Sequence, residues 1–198
     1  MPNLTNPLIL DRCPHCGIAN PYLPAETNHL HSSAPQRVWL IYKCSVCEGM
    51  IMACANNING NIFSMYPEVI KVNEVVPDRA QEYLRQAIDS LHAPAGSIML
   101  AASSVDAMLK AKDYKEGSLH RRINLAAENH LITTEMATWA HQVRLEANGQ
   151  RHADEEYQMP TQEEAQRVID FAQALAEFLF VLPAKVEQGV ARTSPENV

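Results

Sequence analysis

No run of residues in this chain is long and apolar enough to cross a bilayer. The longest, Phe171 to Ala184, is interrupted by Gln173 and Glu177 and falls short of the ~20 residues a spanning helix needs. Met1 to Leu10 carries no basic residue ahead of its apolar stretch, so the pattern of a secretory signal is missing there. No internal repeat and no low-complexity tract occurs. Positive charge is not in excess either: 16 Lys and Arg stand against 23 Asp and Glu, for a net charge of −7. Residues 1–76 hold four cations against five anions, residues 77–152 nine against nine, and residues 153–198 three against nine. The acidity therefore lies in the C-terminal quarter. General adhesion to nucleic acid is disfavoured, while the neutral middle leaves room for a local basic patch.

Cysteine is scarce, with five in 198 residues, but four of the five fall into two pairs. Cys13-Pro14-His15-Cys16 and Cys44-Ser45-Val46-Cys47 each leave two residues between their thiols. Together they supply the four sulfur ligands of a closed tetrahedral zinc site, here one structural zinc ion held by Cys13, Cys16, Cys44 and Cys47. Four thiolates leave no open position for water, so the metal is structural rather than catalytic. The competing assignments are a disulfide pair and a redox Cys-x-x-Cys, but redox dithiols come singly in a βαβ context that is lacking here. Free thiols used as ligands point to a reducing compartment, the cytoplasm.

Gly17 follows the first pair, where a tight turn benefits from tolerance of positive φ, and Glu48-Gly49 closes the second. Val38–Tyr42 and Met50–Ala53 flank the second pair as extended apolar segments, which predicts a β-hairpin with a knuckle at its tip. So small a ribbon has little core of its own, and its folding is expected to depend on metal. Cys54 reads as a small buried apolar residue. His15 is expected to be exposed. His29 and His31 lie among prolines and serines between the two pairs, where a solvated loop is the stronger expectation and a second metal site the weaker.

Beyond Pro77 the pattern turns helical. Tyr83, Leu84, Ala87, Ile88 and Leu91 form one apolar stripe, and Pro94 starts a second helix through Ile98, Val105, Met108 and Leu109. Gly117-Ser118 offers a stop and then a cap before a third helix. Thr133 or Thr134 caps a fourth, and Thr161 with Glu164 makes a capping box for a fifth that Pro183 kinks or ends. The expected fold is mainly α: a small β-rich zinc ribbon over residues 1–70, a short strand or linker over Val69–Val76, an antiparallel bundle of about five helices over 77–187, and a disordered tail over 188–198.

The fourth helix contains Trp139-Ala140-His141-Gln142-Val143-Arg144-Leu145-Glu146-Ala147-Asn148-Gly149-Gln150-Arg151-His152. With Ala107–Lys110, Tyr114–Leu119, Arg122-Ile123 and the long closing helix, this stretch resembles the bacterial domain-of-unknown-function family 4145. A ribbon ending in Met65-Tyr66-Pro67 is similar to what often precedes that domain. The resemblance implies a HEPN-like bundle, an association with restriction or phage defence, and a homodimer. It also implies a metal-independent endoribonuclease motif, an arginine followed by a histidine, whose usual spacing is four to six residues. Arg144 and His152 have seven residues between them. In such a site His152 would move the 2′-hydroxyl or leaving-group proton, Arg144 would neutralise the phosphate, and Asn148 would orient them. Arg121, Arg122 and Arg151 would contact the nucleic-acid backbone.

Spacing of i, i+4 and i+8 separates the ends of the Arg144/Asn148/His152 series by ~12 Å of rise in an unbroken helix. A break at Asn148-Gly149, or a second subunit, would be needed to bring them to one phosphate. The structural alternative pairs Arg144 with a carboxylate such as Asp106 and lets Asn148 and His152 buttress the loop containing Asp154, Glu155 and Glu156. His120 and His130 are expected at the surface, His141 on the exposed side of the fourth helix, and Trp139 in the core or a dimer interface. Three functions follow: a non-catalytic interaction scaffold with a protein partner, a homodimeric ribonuclease acting on RNA, and nucleic-acid binding by the ribbon. The last has only Arg12, Arg37, Lys43 and Lys71 as cations.

Overall fold

In the computed structural model, which describes residues 2–27, 30–33, 36–68, 72–152 and 158–193, the alternation of Val38, Leu40 and Tyr42 decides the first unit. These three side chains are buried while Trp39 and Ile41 are half-buried, the period-2 pattern of a sheet with one face on a core. They lie on β2 (Gln36–Lys43), which pairs antiparallel with β1 (Leu30–Ser33) and β3 (Met50–Ala55), and β3 pairs with β4 (Ser64–Tyr66). The register sets Trp39 opposite Cys54 and Lys43 opposite Met50, so the Cys44–Gly49 segment is the hairpin tip. Residues 30–33, expected in a solvated loop, instead form a strand, with His31 opposite Val38. His29 lies outside the described residues.

The chain divides into two compact units, Met1–Ile70 and Lys71–Val198. The ribbon's core is larger than its strands alone provide. The N-terminal segment folds back, with Leu4 N–H donating to Gly60 O at 2.8 Å, Asn59 N–H to Leu4 O at 2.9 Å, and the Tyr42 hydroxyl to Thr5 O at 2.9 Å. Leu4, Leu8 and Leu10 thereby join Leu23, Tyr42, Ile51 and Ile62 in one buried cluster. Cys54 is fully buried. Residues 69–71 are not among those described, and 72–76 hold no strand, with a turn at 74–76.

The second unit is a helical bundle: α1 (Asp78–Asp89), α2 (Pro94–Ala111), α3 (Leu119–Glu128), α4 (Thr134–His152), α5 (Gln162–Ala176), a π-helical turn (Glu177–Val181) and α6 (Leu182–Thr193). The caps are those the sequence announces. Ser118 accepts from Arg121 N–H, Thr133 from Met136 N–H, and Thr161 with Glu164 forms a reciprocal box. Central α2 packs on α1, α3, α4 and α5. Its buried Ser97 and Ser104 hydroxyls donate to Ala87 O and Ala80 O at 2.7 and 2.8 Å, a contact that small residues on α1 permit by letting the two backbones approach.

Pro183 does not end the last helix. Proline lacks the N–H that would bond back four residues, and its ring crowds that carbonyl. The preceding turn widens to π geometry, with Leu182 N–H reaching Glu177 O, and the helix resumes to Thr193. Residues 188–193 are thus helical where a disordered tail was expected, and 194–198 lie outside the described residues. No helix among the described residues is long and apolar enough to cross a membrane.

Candidate functional site

The two cysteine pairs sit in knuckles with the same backbone pattern. In the first, Gly17 N–H donates to Cys13 O and Cys13 N–H to Ile18 O; in the second, Glu48 N–H donates to Cys44 O and Cys44 N–H to Gly49 O, all at 2.9 to 3.0 Å. Each turn needs a positive φ just after its second cysteine, +70° at Gly17 and +58° at Glu48. The left-handed residue of the second knuckle is therefore Glu48. Gly49 serves a different purpose, since it leaves room for the His15 ring.

The four sulfurs of Cys13, Cys16, Cys44 and Cys47 lie within 4.8 Å of one another, and Cys13 Sγ and Cys47 Sγ are 3.9 Å apart. Tetrahedral thiolates at ~2.3 Å from a zinc ion stand ~3.8 Å apart, so the cluster fits a metal ion of that size. Cys13 and Cys44 are buried, Cys16 is half-buried and Cys47 is exposed. Burial pushes the Cys13 thiol up to about 12. At Cys44 burial acts in the same direction but is outweighed by the N–H groups of Cys47 and Val46 and by the Cys13 and Cys47 thiols, which bring it down to about 7. These N–H groups aimed at sulfur are what a thiolate ligand requires. His15, though exposed, is anchored by Nε2 against Met50 O at 2.8 Å.

On the bundle, α4 runs unbroken through Asn148-Gly149 to His152. Arg144 and Asn148 are half-buried, and Arg151 and His152 are exposed. Arg144 and His152 are thus eight residues apart on one continuous helix, separated by the ~12 Å rise of such a span. Arg144 does not pair with Asp106. That carboxylate binds Arg122 Nη1 at 2.7 Å and also meets Lys110, while Arg122 Nη2 donates to Lys115 O at 3.0 Å. Arg122 is 9% exposed and is committed inside the bundle, so it is not a contact for a nucleic-acid backbone. Arg121 is exposed, as are His120 and His130. Asp154, Glu155 and Glu156 lie outside the described residues. Trp139 packs against Phe171 with the rings tilted by 47° and their centroids 5.0 Å apart and remains 40% exposed, facing an open groove of about 520 Å³ shared with Gln142, Leu145, Glu146 and Arg167.

A second polar cluster escapes the sequence pattern. His141, expected on the exposed side of its helix, is half-buried and tilts against His120 of α3 with ring centroids 4.8 Å apart. Asn124 joins them: its Oδ1 is 2.8 Å from His141 Nε2, and its Nδ2 is 3.5 Å from His120 Nδ1. Burial, then the His120 and Arg144 charges, hold His141 below the ordinary imidazole value. His141 Nδ1 and Arg144 Nε are sealed from solvent without a hydrogen-bond partner, an arrangement that costs ~1–3 kcal/mol for each such group. The signal available in sequence was the i, i+4 pair His120/Asn124 and the i, i+3 pair His141/Arg144 on two successive helices, with nothing to say that the two faces meet.

Residues 80–193, more than half of the chain, match the model of a family described as Domain of unknown function (DUF4145). No curated protein and no solved structure matches the chain.

Proposed function

Since the chain belongs to the DUF4145 family, we propose that it is a cytoplasmic bacterial protein in which a zinc-bearing ribbon accompanies a non-catalytic, homodimeric interaction scaffold linked to restriction or phage defence. The observation that carries the interaction role is on the π turn and α6. Phe178, Leu182, Val186 and Val190 follow one another at steps of four and are 39%, 48%, 56% and 62% exposed. Among the described residues of α6, only Ala184 is even half-buried, so the row is held out from the bundle. A ridge of i±4n side chains packs against a like ridge on another helix. Antiparallel pairing of two copies about Val186 would set Lys185 of one, which within its own chain pairs with Glu177 at 2.7 Å, beside Glu187 of the other.

Light scattering tests this. Wild type is expected to run as a dimer at micromolar concentration, and Val186→Glu as a monomer with unchanged helical circular dichroism. A monomeric wild type removes the proposed interface. Recovery of bound protein from the native host then identifies the scaffold's client.

The alternative, a metal-independent homodimeric endoribonuclease using Arg144 and His152 with Asn148, draws support from the Arg144 guanidinium, which has no carboxylate partner among the described residues. Because one chain holds the pair far apart along α4, its phosphate would have to be shared between copies. Incubation with mixed RNA in chelator, beside His152→Ala, decides it: cleavage absent in wild type, or equal in the variant, excludes this chemistry.

A further inference from the structure

We propose that the groove between α4 and α5 is where the scaffold holds its client, and that it takes an arginine or lysine side chain of a partner protein flanked by apolar residues. This names the chemistry of the client and so rests on the interaction reading, but it uses none of the residues of the α6 row.

The groove is built along one line of α4. Trp139, Val143 and Glu146 recur at i, i+4 and i+7, so they share a face, with Trp139 and Glu146 ~10 Å apart along the axis. Arg167 and Val168 of α5 line the other side. Val143 and Val168 are buried, while Trp139 and Leu145 are left 40% and 46% exposed. Apolar surface therefore lies open at the Trp139 end, and a carboxylate stands at the other.

Two charged side chains line the groove, and burial separates them. Arg167 has a side chain 70% exposed, drawn toward Glu164 of its own helix at 3.8 Å. Glu146 is half-buried, and among the described residues its carboxylate accepts no hydrogen bond and joins no ion pair. Burial pushes this carboxyl up, and the two charges that reach it, Arg167 and Glu164, act in opposite directions. One carboxylate is thus left unanswered. The sealed, partnerless side-chain atoms are Arg122 Nε, His141 Nδ1 and Arg144 Nε. The Glu146 oxygens are not among them, so a group entering the groove can reach them.

An acidic segment would meet Glu146 with like charge. A wholly apolar one would desolvate the carboxylate and leave it unpaired. A divalent ion wants several oxygen ligands, and one carboxylate lines this groove. An arginine or lysine laid along the groove meets each requirement in order: its methylene stem lies on the indole and its charged head reaches Glu146. The exposed surface of Trp139 and Leu145 then receives the apolar neighbours of that side chain, which a small free cation lacks.

Fluorescence anisotropy of dye-tagged, capped peptides against the full-length, metal-loaded protein tests this. A leucine–arginine–leucine peptide should bind saturably with a Kd below about 1 mM. The same peptide with citrulline, which keeps the shape and loses the charge, should bind about tenfold more weakly, and one with central glutamate should not bind. Glu146→Gln, a substitution that preserves shape, should lose about tenfold for the arginine peptide, while Arg167→Gln should lose nothing. Val186→Glu should bind the peptide as wild type does, so failure of the α6 interface and failure of the groove are told apart. Absence of saturable binding, equal binding of the citrulline peptide, or an undiminished affinity in Glu146→Gln would overturn the proposal. So would capped arginine alone binding as tightly as the peptide, since that would assign the groove to a small cation.

Discussion

The ring of His15 lies directly over Gly49, so the first knuckle is stacked on the second by a side chain from inside one cysteine pair. Its Nε2 meets Met50 O at 2.8 Å, and a Cβ at position 49 would stand 2.5 Å from the ring's Cγ. Gly49→Ala should therefore force the ring aside and destabilise the metal-loaded ribbon by about 1–3 kcal/mol, the usual cost of overpacking. In a His15→Ala background the same substitution should cost little. A double-mutant cycle on ribbon denaturation measures the coupling, and equal cost in both backgrounds would show that the ring is not the obstacle.

Glu48 occupies the left-handed region at φ +58°, where a side chain is strained and glycine is not. Glu48→Gly should stabilise the ribbon by about 0.5–1 kcal/mol. The surface ion pair with Lys43, at 3.3 Å, offsets little of this. Thermal denaturation of the metal-loaded variant reads the gain, and a loss of stability would mean that the turn does not bear this strain.

Removing metal should unfold the ribbon and leave the bundle standing. Protons compete for thiolates, and burial pushes Cys13 up to about 12, so metal binding near pH 8 should release protons and tighten as pH rises. Chelator titration followed by tryptophan fluorescence in a Trp139→Phe background reports Trp39 in the ribbon, while far-ultraviolet circular dichroism reports the helices. The core that the N-terminal segment adds, through Leu4, Leu8 and Leu10, bounds the effect. If the apo ribbon keeps its full stability, metal is dispensable to this fold.

What could be read from sequence was local. Cysteine spacing located the ligands, and Ser118, Thr133 and Thr161 marked helix starts, because a cap or knuckle is settled within a few residues. The strand at Leu30–Ser33 is not legible locally because its only partner among the described residues is β2, and pairing overrides a loop-like composition. At Pro183 the sequence announces a kink or an end, but not the π turn that carries the helix past it, in which Leu179 and Val181 are buried. The His120–Asn124–His141 contact was illegible for the same reason: each helix reveals its own faces, but not which polar faces meet.

Arg122, a candidate for nucleic-acid backbone contact in sequence, lies inside the bundle. Its pair with Asp106 joins α3 to α2, with side chains 11% and 22% exposed. Arg122→Ala should cost about 3–5 kcal/mol, as losing one partner of a buried pair does, with partial exposure and the neighbouring Lys110 placing it at the lower end. Asp106→Asn should cost less, since an amide oxygen can still accept. Urea denaturation of the bundle checks both, and a loss below 1 kcal/mol for Arg122→Ala would mean that the pair is solvated.

His141 gives the bundle an acid-side weakness whose sign can be worked out. Its folded value lies below the ordinary 6.5, first through burial and then through the His120 and Arg144 charges. As pH falls through 6.5, the unfolded chain takes up a proton that the folded chain still refuses, so stability falls with pH in that window. The loss stops growing only when pH passes below the depressed folded value. Glu146, whose carboxyl is raised chiefly by burial, acts in the opposite direction, so the decisive quantity is a difference between proteins. The midpoint of wild type should drop more than that of His141→Gln on going from about pH 7 to pH 5, with the gap closing at neutral pH. Parallel curves for the two proteins would mean that His141 titrates as freely in the bundle as in the unfolded chain.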